Sequence, residues 1–220
     1  MSHAVAMRVF TALIPDDATR DRLAAIAERL RAWDLPATWV DPADYHLTLR
    51  FHGDVDDHGA DFLPHAIEDV AGGVPRPDLR LIGLGATGTR GMGEGCVPRM
   101  IYAAVGDPAN WCQGVHNDLG NCLDEVPERG FKPHITLCRP LPMSPAAHAA
   151  VPAFRHWPHL LEAHGQADWG PCIGEAIELQ AGPAPYRVLA RWELPKPASS
   201  RYPAKALPPG VRLPGATVLP

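Results

Sequence analysis

Apolar and polar positions alternate from Arg8 to Ile14, the period of two that marks a half-buried strand. Pro15-Asp16-Asp17 follows with turn and helix-cap chemistry. The period then lengthens. Leu23, Ile26, Ala27 and Leu30 recur at i, i+3, i+4 and i+7, the stripe of an amphipathic helix ending near Trp33. Leu35-Pro36 breaks it, Thr38 to Val40 is a short extended piece, and Asp41 to Asp44 is a turn. A strand is expected over Tyr45 to Phe51, then a turn over Gly53 to Asp57. Phe62, Ala66, Ile67 and Val70 predict a second helix, stopped by Gly72-Gly73 and Pro75 to Asp78. Strands are expected at Leu79 to Leu84 and Arg99 to Val105, with a long glycine-rich loop, Gly85 to Pro98, between them. Asp107-Pro108 opens a third helix with Trp111, Val115, Leu119 and Cys122 on its buried face. After a turn around Pro127 to Gly130 comes a strand over His134 to Cys138. Ser144-Pro145 can cap a short helix through Val151, and Phe154 to Leu161 is aromatic and histidine-rich. Cys172 to Leu179 and Tyr186 to Leu194 read as closing strands around the turn Gly182 to Pro185.

One unit occurs twice in this order: strand, Asp/Pro turn, amphipathic helix, then a strand opening on His-x-Thr. Phe10 precedes His46 by 36 residues and Tyr102 precedes His134 by 32. The repeat predicts an α+β fold of two pseudo-symmetric lobes, each an antiparallel sheet with helices on its outer face, enclosing a central cleft. The strands lining that cleft carry His46-Leu47-Thr48-Leu49 and His134-Ile135-Thr136-Leu137. Side chains alternate faces, so each histidine and threonine share a polar face while Leu or Ile points to the core. With 11 histidines and 46% apolar residues, chance yields about 0.1 such tetrapeptides in a chain of this length.

Composition narrows the setting. A length of 220 residues suits one bilobal unit, drawn here as residues 1–194. Seven of the 25 prolines fall in 195–220, together with Lys196, Arg201, Lys205 and Arg212 and no acid. That segment is expected to be an extended basic tail. The net charge of −5 gives no global attraction to polyanions or anionic membranes, so any phosphate site must be local. No apolar run reaches membrane-span length, and neither a membrane span nor a signal peptide is expected. Five cysteines without a C-x-x-C predict free thiols in a reducing cytoplasm. A monomer is expected.

Two imidazoles and two hydroxyls meeting in one cleft can do acid–base chemistry on an anionic oxygen centre. Histidine suits both roles near neutral pH, and hydroxyls with nearby arginines can hold phosphate charge, so no metal or other cofactor is required. Strand parity puts Arg50, four residues after His46, on the histidine face. It puts Arg139, five after His134, on the other face unless the strand ends at Cys138. Which histidine is acid and which is base stays open from the residues alone.

The chain resembles the 2H phosphoesterase superfamily, closest to its RNA 2′,3′-cyclic phosphodiesterases, also called 2′-5′ RNA ligases. The resemblance rests on Arg8 to Leu13, Trp39-Val40, His46 to Val55, Phe131 to Arg139 and Tyr186 to Trp192. The chain departs from it at His52, usually apolar, and at Leu179-Gln180-Ala181, where a serine is common. The resemblance implies catalytic His46 and His134, with His46 protonating the leaving oxygen and His134 activating water. Thr48, Thr136 and Arg139 would bind substrate, with Arg50 added by parity. The implied partners are RNA ends or nucleotides carrying a 2′,3′-cyclic phosphate, and the implied products are 2′-phosphomonoesters, with 2′-5′ ligation as the reverse reaction. Alternatives are a non-catalytic binder of RNA 3′ ends and a 2H enzyme acting on small cyclic nucleotides.

Other motifs read as structure. Gly83-x-Gly85-x-x-Gly88 matches a dinucleotide fingerprint but lacks its helix, so it is taken as a hairpin loop. Cys112 and His116, one helical turn apart, fit a buried helix face better than half a metal site. His156, His159 and His164 fit a packed loop.

Overall fold

The computed structural model describes residues 6–90, 97–123, 130–142 and 164–195. The proposed helix at 144–151, the stretch 154–161 with His156 and His159, and the tail after Pro195 lie outside the described residues.

Strand β1 (Met7–Pro15) is buried along most of its length because both of its faces are covered. Val9 and Leu13 enter the main core, while Phe10, Ala12 and Ile14 form a separate small cluster with Tyr186. Helix α1 (Asp17–Arg31) starts where the Asp16 carboxylate accepts the Thr19 N–H at 2.8 Å. It buries Leu23, Ala27 and Leu30, the stripe read from the sequence. Strand β2 (Ala37–Trp39) and a 3-10 turn (Pro42–Asp44) lead into β3 (Leu47–Val55). Helix α2 (Asp57–Gly73) is capped by Asp56 and buries Ala60, Leu63, Ile67 and Ala71.

Strands β4 (Leu79–Arg90) and β5 (Val97–Gly106) pair antiparallel as far as Arg90 and Val97. The expected loop is therefore shorter than Gly85 to Pro98, because residues 85–90 find ladder partners that local composition does not reveal. Gly85 lies under the Tyr102 ring, where a Cβ would overlap it. Helix α3 (Trp111–Asn121) begins after Asn110 in a left-handed conformation. Its first N–H groups donate to Asp107, from Trp111 at 2.8 Å and Cys112 at 2.7 Å. Strand β6 (His134–Pro140) follows, then β7 (Gly170–Cys172), β8 (Gly174–Ala181) and β9 (Arg187–Glu193).

The strands form one sheet in the order β7-β4-β5-β6-β3-β1-β8-β9, with β2 on β6. Two antiparallel wings meet at the middle, where β3 and β6 are joined by a single rung, Leu47 opposite Ile135. The main core runs through both wings and takes in the buried faces of α1, α2 and α3. Among the described residues Cys112, Cys138 and Cys172 are free thiols. No helix among the described residues is long and apolar enough to cross a membrane.

Candidate active site

The seam between the wings brings the two tetrapeptides together. Carrying the Leu47–Ile135 register one residue either way sets His46 across from Thr136, and Thr48 across from His134. Each imidazole is held alike. His46 Nδ1 lies 2.8 Å from the Asp44 carbonyl and His134 Nδ1 lies 2.7 Å from the Lys132 carbonyl, in both cases two residues back. A carbonyl only accepts, so each Nδ1 carries the proton and donates it, and Nε2 is the nitrogen left to exchange protons. Each ring also packs on the aromatic residue of the first strand in its repeat. Phe10 stacks on His46 at 5.0 Å and 29°, and Tyr102 sits 4.8 Å from His134 at 49°. Tyr186 adds an edge contact to His46 at 5.2 Å. Thr48 and Thr136 are half-buried, and the Thr136 hydroxyl donates to Met100 Sδ at 3.1 Å.

A β-bulge follows each tetrapeptide at the same place. On β3, Thr48 faces Ala12 and Arg50 faces Thr11, so Leu49 drops out of the ladder. On β6, Thr136 faces Tyr102 and Cys138 faces Ile101, so Leu137 drops out. An extra residue reverses side-chain parity beyond it. Leu49 and Arg50 are consequently both buried, as are Leu137 and Cys138. Arg50 therefore turns away from the histidine face on which unbroken strand parity would set it. Arg50 is 4% exposed, its Nη1 lies 3.3 Å from both the backbone carbonyl and Nε2 of His116 on α3, and its guanidinium occupies the space a Cβ on Gly120 would need. The same reversal returns Arg139 to the histidine face without ending the strand, and Arg139 is exposed.

Burial lowers the pKa of His46 below its usual 6.5. The carbonyl of Asp44 opposes this, the charges of Arg139 and His134 add to it, and Glu178 opposes it. Arg139, His134 and Glu178 thus stand within electrostatic reach of His46. Glu178 is buried on β8 opposite Ala12, accepting from Arg191 Nη1 at 2.5 Å and Gln180 Nε2 at 2.6 Å. Sequence reasoning missed this cluster, although Glu178 and Gln180 at i and i+2 within an apolar strand were its signal. It also missed His116 and Tyr186 as neighbours of the site.

A cavity of about 240 Å³ opens on the His134 side. Thr48, Tyr102 and His134 line it, together with Phe51, Phe131 and Lys132. Arg50 and His116 also contribute to its lining. Among the described residues no group of three His, Cys, Asp or Glu side chains is gathered to hold a metal ion.

Residues 14–97 match the family model described as LigT like Phosphoesterase. An RNA 2′,3′-cyclic phosphodiesterase of Methanothermobacter thermautotrophicus is 26% identical over 140 residues, 60% of this chain and 71% of that one. One from Geobacillus stearothermophilus is 33% identical over 123 residues, 53% of this chain and 38% of that one. The chain thus spans well under half of that second relative. In the fold, the crystal structure of TT0787 from Thermus thermophilus superimposes with a TM-score of 0.58 at 22% identity, covering 86% of this chain and 98% of that one. Escherichia coli LigT in complex with 3′-AMP gives 0.53 at 21% identity, with the same coverage.

Proposed function

We propose that the chain is a LigT-like phosphoesterase, the family whose model matches residues 14–97, and that it hydrolyses RNA 2′,3′-cyclic phosphate ends to 2′-phosphomonoesters. The observation that carries this reading is the single Leu47–Ile135 rung, whose register sets each histidine opposite the other motif's threonine. One phosphate between the strands would have an imidazole on either side and a hydroxyl beside each, the requirement of in-line displacement.

His134 Nε2 takes a proton from water as the water oxygen bonds to phosphorus. The bond from phosphorus to the ribose 3′ oxygen breaks, and His46 Nε2–H protonates that oxygen. Commitment of both Nδ1 protons to backbone carbonyls supports Nε2 as the reacting nitrogen in each case. Thr48 and Thr136 donate to the non-bridging oxygens, and Arg139 adds charge on the His46 side. Arg50, held against α3, supports the Thr48 wall rather than touching the phosphate. Burial disfavours the charged form of His46, and an anionic phosphate between the imidazoles favours it. With a 5′-hydroxyl in place of water as the nucleophile, the same groups would open the cyclic phosphate into a 2′-5′ linkage, His134 taking the hydroxyl proton and His46 protonating the 3′ oxygen. The catalytic unit is residues 1–194, acting as a monomer in the cytoplasm, with 195–220 as an appended tail.

The test is an assay on RNA ending in 2′,3′-cyclic phosphate, with the product mapped as a 2′- or 3′-phosphate. Release of a 2′-phosphate is expected. A 3′-phosphate product, or binding without turnover, would overturn the reading.

A further inference from the structure

His116 is a buried histidine that the paired motif does not include, 1% exposed on α3. Its Nδ1–H donates to the Leu49 carbonyl at 2.7 Å. Leu49 is the residue that the bulge removes from the β1 ladder, so its carbonyl needs a donor from elsewhere. The ring of His116 stacks on Phe131 at 4.5 Å and 18°. Phe131 precedes Lys132, whose carbonyl accepts the Nδ1 proton of His134. One imidazole therefore touches both chain segments that build the Thr48–His134 side of the cleft. One is the bulge just after Thr48, and the other is the approach to His134. An aliphatic residue of equal size would leave Leu49 O without its donor. In the other half the matching carbonyl, Leu137 O, is served by the backbone N–H of Val40 at 3.0 Å.

We propose that His116 is a positioning residue, holding Thr48 and His134 in register across the seam through the Leu49 carbonyl and the Phe131 ring. This rests on the reading of His134 as catalytic. It is tested in the full chain with RNA ending in 2′,3′-cyclic phosphate. His116→Phe keeps a ring against Phe131 but loses the donor. Its kcat should fall about tenfold to a hundredfold, since small misplacements at a reacting centre are costly, with KM changed by less than about threefold. His116→Asn keeps an N–H within reach of Leu49 O and should recover most of that loss. Phe131→Leu removes the stack without altering α3. It should lower kcat and shift the limb of the pH–rate profile that His134→Ala identifies.

Folded His116→Phe with kcat within about twofold of the parent overturns the proposal. If His116→Phe does not fold, Phe131→Leu decides, and an unchanged kcat and pH profile there overturns it. If His46→Ala or His134→Ala retains turnover, the two-histidine reading has failed and the inference goes with it. If both are inactive while His116→Phe matches the parent, only the positioning role has failed.

Discussion

The two halves of the cleft start from the same local plan and finish it differently. In each, a His-x-Thr tetrapeptide ends in a bulge, the imidazole donates to the carbonyl two residues back, and an aromatic from the first strand of its repeat packs on the ring. The differences begin one residue past the bulge. The buried position is Arg50 in one half and Cys138 in the other. The next, exposed position is Phe51 in the first half and Arg139 in the second. A backbone amide serves one bulged carbonyl and an imidazole serves the other. Equivalent backbones thus present a cation to the cleft from β6 and an aromatic ring from β3. A symmetric scaffold becomes a site with two chemically distinct ends through side chains at only two or three equivalent positions.

The largest effects should come from what the halves share. His46→Ala and His134→Ala should each cost about 10²–10⁴ in single-turnover hydrolysis, the usual contribution of a general acid or base, with unchanged circular dichroism. A loss in only one of them would show that the halves are not two arms of one mechanism. Next come the two arginines, which the bulges assign to opposite faces. Arg139→Gln should lower kcat/KM about tenfold or more with the melting temperature unmoved, as expected for loss of a charge-assisted contact. Arg50→Met should mainly lower stability, by about 1.5–3 kcal/mol for hydrogen bonds to a buried charged group. The reverse pattern, measured by thermal melts beside kinetics, would return Arg50 to the phosphate. A smaller effect is expected at the glycines that admit these side chains. Gly120→Ala should crowd the Arg50 guanidinium and Gly85→Ala the Tyr102 ring, each costing about 1–3 kcal/mol as overpacking does. Only the second should also disturb turnover through His134, and equal kinetic effects from both would remove that distinction.

The repeat, the stripe of the first helix and the paired motif were legible because each is a period in one stretch of chain, whereas Phe62 and Cys122, read into the stripes of the next two helices, are exposed. Leu23, Ala27 and Leu30 bury as their spacing dictates, and Leu47 and Ile135 point to the core as parity dictates. The bulges were not legible. Nothing in Thr48-Leu49-Arg50 marks Leu49 as the residue to be skipped, because a bulge is set by the ladder with β1, some 40 residues away. Leu49 and the equally hidden Leu137 each reversed strand parity, the first for Arg50 and the second for Arg139. The hairpin of β4 and β5 was hidden for a related reason. Glycines at 83, 85 and 88 read as loop, yet a glycine in a strand also serves where a ring needs the space of a side chain, as Gly85 does beneath Tyr102. The Glu178–Gln180–Arg191 cluster depends on register between β8 and β9 and could only be suspected from two polar residues in a buried strand.

The smallest expected effect concerns the enclosure of His46 by Phe10 and Tyr186 and follows from the sign of its pKa shift. The unfolded chain protonates this imidazole near 6.5, whereas burial in the folded state moves that titration lower. Between the two values the unfolded state binds more protons, so stability rises with pH there. The contribution is fully present above about 6.5 and is lost as pH falls through the lower folded value. His46→Phe keeps an aromatic ring against Phe10 and removes the titration. Its melting temperature should therefore fall less than the parent's between pH 8 and pH 5, other histidines contributing equally to both. Inorganic phosphate sharpens the test, because an anion beside His46 favours the charged ring. The parent should gain more stability from phosphate as pH falls toward 6, and His46→Phe should gain less. Parallel pH slopes for the two proteins, with and without phosphate, would mean that His46 is not enclosed as described, and the contrast between the halves would then rest on the arginines alone.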